Sequence, residues 1–274
     1  KRQGPRRRLT VEQLSSRNPR VQQLRRLVRQ SRARAEAGLF VVEGAGLLAE
    51  ALASGHQLEA VYVAEGAEAG VAAALARPLD GLGAPVWGLD PSVLATIAST
   101  TSPQPVLATV SLFEHELATT IGDGTSFVVV GVDIGEPGNA GTMIRTAAAA
   151  GADAVVFCDG SVDVFNPKVV RSTAGALFRI PVMAGVGLDA LIEVCGTAGI
   201  ATAGLTGAAK AAYTDLDLRE PVALFFGSEA HGLAEPLLAL LDEQASIPMA
   251  RGVESVNVAA AAAAVCFEVS RQRQ

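Results

Sequence analysis

Three short stretches of this chain carry side chains whose types and spacing can do chemistry. The first is Gly135-Glu136-Pro137-Gly138-Asn139-Ala140-Gly141-Thr142-Met143-Ile144-Arg145-Thr146, a glycine-rich turn running into a helix of small residues. Neither packing nor the helix dipole asks for an arginine so near a helix start. A guanidinium there suits an anion such as a phosphate, gripped by its fork of donors. The second stretch is the apolar strand Ala223-Leu224-Phe225-Phe226 followed by Gly227-Ser228-Glu229 and Gly232. The third reads as a strand, Ser246-Ile247-Pro248-Met249, then a polar loop to Ser255, then Val256-Asn257-Val258 entering an Ala-rich helix. Glycine-bearing loops after buried strands can present backbone N–H and C=O groups to a ligand. An α/β sheet builds its sites in this way, at the carboxyl ends of its strands.

Several chemistries are disfavoured by the same residues. The turn at Gly135–Gly141 is not GxGxxG, and no GxxxxGK[ST] occurs, so dinucleotide and triphosphate loops of the usual kind are missing. Cys158, Cys195 and Cys266 are far apart, without a CxxC pair, in apolar surroundings that suit buried thiols in a reducing cytoplasm. His56, His115 and His231 are equally scattered, so no metal site is expected. No apolar run reaches the roughly 18 residues of a membrane span. The basic N-terminus lacks the apolar core of a signal peptide.

The elements that must position these residues alternate strand and helix, as an α/β chain does. Asn18-Pro19 predicts a capped helix start. Val21, Leu24, Leu27 and Val28 make one apolar stripe there, with Arg20, Arg25, Arg26, Arg29 and Arg32 on a basic side left free. Short strands are predicted at Leu39–Val42, Leu58–Val63, Pro85–Leu89 and Val106–Val110, with helices near 46–54, 67–76 and 91–98 between them. The loop Thr100-Thr101-Ser102-Pro103-Gln104-Pro105 is either ordinary or a set of hydroxyls for a phosphate backbone. Beyond it, strands are predicted at Phe127–Val132, Ala154–Cys158, near Arg179–Met183 and at Ile200–Thr206. Helices follow Asn139, Asn166-Pro167 and residue 187. The resulting organisation is a basic mobile arm over residues 1–17, a small α/β domain over 18–110, a linker over 111–125 and a larger α/β domain over 126–274.

Charge is distributed very unevenly. Residues 1–34 hold 12 of the 22 Lys and Arg and only one of the 28 Asp and Glu, Glu12. Such an arm either keeps the chain soluble or meets an anionic polymer, and on an acidic body the arginine cluster favours nucleic acid.

Taken in order, Asn139-x-Gly141-xxx-Arg145-Thr146, Phe226-Gly227-Ser228-Glu229-xx-Gly232 and Ile247-Pro248-Met249-xx-Gly252-xx-Ser255-Val256-Asn257-Val258 resemble the three signature motifs of the SpoU/TrmH family. These are RNA ribose 2′-O-methyltransferases of the SPOUT superfamily. The resemblance covers roughly residues 127–269, and the preceding unit is similar, more loosely, to an L30e-like RNA-binding domain. It implies an α/β fold whose C-terminal parallel sheet carries a deep trefoil knot, with S-adenosyl-L-methionine bound against the knotted loops. Leu205, Thr206, Gly227, Ile247, Met249 and Val256 then hold the cofactor, mostly through backbone groups and aliphatic side chains. Arg145 with Asn139 serves the ribose hydroxyl, Ser255 and Asn257 complete the polar site, and Glu229 orders its loop. The resemblance also implies a homodimer that completes each site across a two-fold axis, and RNA as substrate. 23S rRNA in a housekeeping or antibiotic-resistance role is favoured over tRNA, with a catalytically silent RNA-binding member as the other alternative. Arg145 is either a base or a charged clamp on the phosphate and the developing alkoxide. Removing a guanidinium proton at neutral pH costs on the order of 7–9 kcal/mol. Glu136 departs from the motif, which more often has Asp or Asn, and little effect is expected if the turn relies on its backbone.

Overall fold

In the computed structural model, which describes residues 11–100 and 102–274, the chain divides into two compact units, Lys1–Leu112 and Phe113–Gln274. In the first, the Asn18 side chain accepts a hydrogen bond from the Arg20 amide at 2.9 Å, opening helix α1 (Pro19–Arg29). Such a cap stabilises a helix by about 1 kcal/mol. Ahead of it lies strand β1 (Glu12–Leu14), and behind it come α2 (Ser31–Ala37), β2 (Leu39–Glu43), α3 (Ala45–Ala53), β3 (Leu58–Ala64), α4 (Glu68–Ala74), β4 (Val86–Leu89), α5 (Pro91–Ile97) and β5 (Val106–Ser111). Among the described residues they form a mixed sheet in the order β1-β4-β3-β5-β2, with β1, β3 and β4 parallel and β5 antiparallel to both β3 and β2.

Two expectations for this unit need correction. Residues 1–10 of the basic arm lie outside the described residues, but Glu12–Leu14 pairs with Trp87–Leu89 and is not mobile. Leu14 is buried in the core, and three residues are too few to show a period. The basic side of α1 is also less free than its charge implies. Arg25 donates to the Ser16 carbonyl and the Thr96 hydroxyl, and Arg29 to the Thr96 carbonyl, while from α2 the buried Arg34 donates to the Leu27 carbonyl at 2.6 Å. Of the two readings of the loop 100–105, the ordinary one is favoured, since the Thr100 hydroxyl donates to buried Glu43 at 2.7 Å within the fold. Thr101, from the same loop, is outside the described residues.

The second unit contains α6 (Leu117–Thr120), β6 (Phe127–Gly131), α7 (Pro137–Ala150), β7 (Ala154–Cys158), α8 (Pro167–Ser172), β8 (Val182–Val186), α9 (Leu188–Thr197), β9 (Ala201–Leu205), β10 (Val222–Phe226), α10 (Glu235–Leu238), β11 (Glu243–Ala245) and α11 (Val258–Gln272). Its strands lie in the order β11-β9-β10-β6-β7-β8, and every pairing is parallel. Both faces of such a sheet are covered, which explains the unbroken apolar runs. All five residues of β6, β7 and β10 are buried. The predicted linker is partly structured, since it contains α6 and the buried Ile121. The strand predicted at Ser246–Met249 lies earlier, at Glu243–Ala245. Pro248 lacks the N–H a ladder needs, while Glu243 and Gln244 hide an exposed edge strand behind polar side chains. The strand predicted near Arg179–Met183 starts only after Pro181, at Val182.

Candidate active site

Asn139 sits in the first turn of α7, a 14-residue helix opened by Glu136. The Glu136 carboxylate accepts from the Asn139 amide at 2.7 Å. A Cβ on Gly138 would lie 2.7 Å from that carboxylate, so glycine makes room for the cap. The side chain of Glu136 therefore fixes Asn139, contrary to the expectation that backbone alone shapes the turn. The signal was present in sequence, as a cap-capable acid followed by proline at the first helical position. Gly141 has a packing role. A Cβ there would meet Ser172 at 2.4 Å and the Val169 carbonyl at 2.7 Å, so its absence lets α7 and α8 touch.

Asn139 joins the three motifs. The Asn257 side-chain oxygen caps α11, accepting from the amides of Ala259 and Ala260 at 2.9 and 3.2 Å. Its NH₂ group then faces Asn139 and donates to the Asn139 oxygen at 2.9 Å. That leaves the Asn139 NH₂ to donate to Glu229, whose carboxylate only accepts. The cap thus sets the direction of the whole chain, from Asn257 through Asn139 to Glu229. The amino ends of two long helices, α7 and α11, converge beside this carboxylate, where their dipoles favour negative charge.

The cofactor candidates share one edge of the sheet. Leu205 is in register with Phe226 of β10 on one side and Ala245 of β11 on the other. The Thr206 amide donates to the Ala245 carbonyl at 2.9 Å. Leu205, Thr206, Gly227 and Ile247 therefore lie at the carboxyl ends of three neighbouring strands. Gly227 is obligatory, because a Cβ would lie 2.1 Å from the Gly232 backbone where the loop folds back. Gly232 takes φ 66°, and its amide donates to the Ser228 carbonyl at 2.9 Å. Ile247 and Met249 are half-buried, Ser255 is exposed, and Val256 is 44% exposed.

Arg145 is not part of the Glu229–Asn139–Asn257 chain. At about 100° per residue it lies about 120° around α7 from Asn139. It is exposed and makes no hydrogen bond or ion pair with the described residues. Instead it lines a concavity of about 410 Å³ together with Arg179, Thr173 and a floor of alanines. Arg179 was not singled out in the sequence, where Phe-Arg-Ile-Pro before a strand carries no motif.

The cysteines take no part in the chemistry. Burial pushes the Cys158 thiol up to about 12, with Asp159 adding to it, and Cys266 to about 12. Burial, then Asp242, raises Cys195 to about 11. Such thiols are not nucleophiles near neutral pH. Among the described residues no group of three or more His, Cys, Asp or Glu is placed to hold a metal ion, and no helix is long and apolar enough to cross a membrane.

Residues 126–267, more than half the chain, match the model of the SpoU rRNA methylase family. The chain belongs to that family. Residues 18–108 match the MRM3-like substrate binding domain. The chain is 34% identical over 94% of its length, and 93% of the relative's, to a tRNA/rRNA methyltransferase of Synechocystis sp. (strain ATCC 27184 / PCC 6803 / Kazusa) that is itself uncharacterized. It is 32% identical to the 23S rRNA (guanosine(2553)-2′-O)-methyltransferase of Bacillus subtilis (strain 168), covering 93% of this chain and 97% of that one. Among solved structures, the SpoU methyltransferase AviRb from Streptomyces viridochromogenes in complex with AdoMet is similar at TM-score 0.83 and 29% identity, over 93% of this chain and 99% of that one.

Proposed function

We propose that this SpoU-family chain is an S-adenosylmethionine-dependent RNA (ribose-2′-O)-methyltransferase, with 23S ribosomal RNA as its substrate. The observation that carries the reading is the hydrogen-bond chain Glu229–Asn139–Asn257, in which Asn139 of the first motif bonds one residue from each of the other two. A fold that only docks on RNA has no need to join these three side chains.

The carboxyl edge suits the cofactor. Leu205, Ile247, Met249 and Val256 offer aliphatic side chains beside loops whose backbone is bared by Gly227, Gly232 and Gly252. Val253 and Val256, at 49% and 44% exposure, are apolar surface of the kind a planar base would cover. When bound, S-adenosylmethionine supplies an electrophilic methyl group on its sulfonium. The chain's own residues orient the acceptor and manage its charge. Arg145 acts as a charged clamp, fixing an RNA phosphate and stabilising the alkoxide that develops on the 2′-oxygen as its proton leaves. Asn139 holds Asn257 and Glu229 in register, and Ser255 borders the ribose.

Two features of the reading concern assembly. Arg145 points about 120° away from Asn139 on α7, so one chain alone does not bring it to its own motif cluster. A two-fold homodimer, in which Arg145 serves the partner's cofactor edge, removes that mismatch. The path of the chain also supports a trefoil knot. After β10 the chain crosses beyond β9 to form β11, and by Asn257 it is back beside Asn139 at the head of α7. A chain that doubles back in this way is one that can thread a knot, an exception to the usual rule. The amino-terminal unit, an L30e-like domain in this reading, would hold the RNA by shape.

Transfer of tritiated methyl groups to ribosomal RNA fragments and to tRNA, followed by mapping of the ribose, tests the proposal. Label on a 2′-oxygen of 23S fragments is expected, whereas label on tRNA alone would redirect it. The same mapping, with drug susceptibility of cells carrying the gene, distinguishes a housekeeping from a resistance role. Failure of S-adenosylmethionine to bind in calorimetry would sink the reading.

A further inference from the structure

A clamp that keeps its charge leaves one product of the transfer without a destination, the proton of the ribose hydroxyl. Within the three motif stretches the side chains able to accept a proton are the carboxylates Glu136, Glu229 and Glu254 and the imidazole of His231. Glu136 is spent on the Asn139 amide as the cap of α7. Glu254 and His231 are exposed, and no side-chain hydrogen bond or ion pair with the described residues orients either of them. Glu229 differs. Its loop is closed by other groups, with the Gly232 amide donating to the Ser228 carbonyl at 2.9 Å and the His231 amide to the Ser228 hydroxyl at 3.2 Å. The carboxylate turns instead to Asn139, whose NH₂ group donates to Oε1, and Asn139 is itself oriented by the capped Asn257. The exposed Oε2 receives no hydrogen bond from the described residues. An acceptor fixed through one oxygen and open at the other is the arrangement of a general base held by an orienting group.

We infer that Glu229 is the catalytic base, its Oε2 taking the proton of the ribose 2′-hydroxyl during methyl transfer. The inference rests on the RNA methyltransferase reading and deepens it by naming the proton acceptor. The 2′-oxygen forms its bond to the methyl carbon with a lone pair, and the methyl–sulfur bond breaks with its electrons kept by sulfur. The hydroxyl proton passes to Oε2 while the O–H electrons stay on the ribose oxygen. The sulfonium thereby becomes a neutral thioether and the carboxylate a neutral acid. Arg145 stays charged throughout. The two roles fall to groups suited to them, since an ionised carboxylate only accepts and a guanidinium only donates.

The test uses the full chain and a 23S fragment whose methylated ribose has been mapped with the unmodified enzyme. Glu229→Gln keeps the length of the side chain and an oxygen for Asn139 but removes the proton acceptor. Its single-turnover rate should fall about 10²–10⁴-fold, while S-adenosylmethionine affinity and the midpoint of urea unfolding stay at the unmodified values. His231→Gln and Glu254→Gln should keep rates within about threefold of the unmodified enzyme, as changes at exposed, unpartnered groups do. A second readout needs no turnover. A fragment with deoxyribose at the mapped position lacks the hydroxyl that donates to Oε2, so it should bind the unmodified enzyme about tenfold more weakly than the ribose fragment. Glu229→Ala should bind the two fragments alike. Turnover of Glu229→Gln within about threefold of the unmodified rate would overturn the inference. So would a fall that comes with lost S-adenosylmethionine affinity or a lowered urea midpoint, since the carboxylate would then serve to order its loop. A deoxyribose penalty that persists in Glu229→Ala would overturn it as well. If the unmodified enzyme transfers no methyl group to RNA, the underlying reading fails instead, and the two failures are distinguishable.

Discussion

The arginines around α1 and Arg145 of the second unit are used in opposite ways. In the first unit, Arg20 lies 4.9 Å over the Trp87 ring, Arg25 and Arg29 bind Thr96, Arg32 pairs with Glu36 at 2.7 Å, and Arg34 is buried against a carbonyl. In the second, Arg145 stands on an exposed helix face without a partner among the described residues. Charge density alone would place the chemistry in the first unit, because that is where the arginines cluster. Partnering sets Arg145 apart from the arginines around α1. A guanidinium already bound to its own fold has less to offer a ligand, whereas one held out unpaired keeps its donors for an incoming anion.

The comparison breaks first at Arg145. Arg145→Ala should lower kcat for methyl transfer by about 10²–10³-fold with the fold intact, as loss of one preorganised donor does. Comparable loss from Arg25→Ala would erase the contrast between the units. Next is Asn139→Ala, which strips Glu229 and Asn257 of their shared partner. Loosening of the motif cluster should cost on the order of 10²-fold in kcat/KM, and a loss below twofold would show that the hydrogen-bond chain is incidental. Asn257→Ala removes the α11 cap and should lower stability by about 1 kcal/mol. A urea titration measures this, with a fall in S-adenosylmethionine affinity expected alongside it.

A smaller effect is set by pH at the other end of α11. Hydrogen bonds from Arg271, then from Gln272, hold the Glu268 carboxyl down at about 2 from its ordinary 4.5. A depressed pKa contributes stability that is complete above the unfolded value and is lost as pH falls toward the folded one. The stability gap between the unmodified chain and Glu268→Gln should therefore be constant above about pH 4.5 and close between there and pH 2. A gap that persists to the acid end would mean that packing, not charge, makes the difference. The smallest effect is expected for Arg25→Ala, within about 0.5 kcal/mol by the same titration.

How much of this was legible in the sequence depended on whether the signal was local. The buried strands of the parallel sheet announced themselves, since Phe127–Gly131 and Ala154–Cys158 can hardly be anything else with both faces covered. The edge strands did not. Glu12–Leu14 and Glu243–Ala245 are short, each with two exposed polar residues before one buried apolar residue, and only their neighbours make them strands. Within the site, the meeting of Asn139, Glu229 and Asn257 was legible only as a resemblance, because the hydrogen bonds span 90 and 118 residues of chain. The Glu136 cap is readable in four consecutive residues, whereas the hold of its carboxylate on the Asn139 amide shows only in the fold. Arg179 left no sign at all, since the concavity it lines exists only once α7 is packed against residues 173–180.

The central claim is that Arg145 acts as a charged clamp in methyl transfer to a ribose hydroxyl. The most direct measurement is single-turnover transfer from labelled S-adenosylmethionine to a 23S fragment, with the product ribose mapped, for the unmodified enzyme, Arg145→Lys and Arg145→Ala. The account predicts 2′-O-methyl product in the unmodified enzyme, reduced but measurable turnover with lysine, and a severe loss with alanine. Complete loss with lysine would point to a base or to a strictly fork-dependent contact. Alanine turnover equal to the unmodified rate would contradict the account outright.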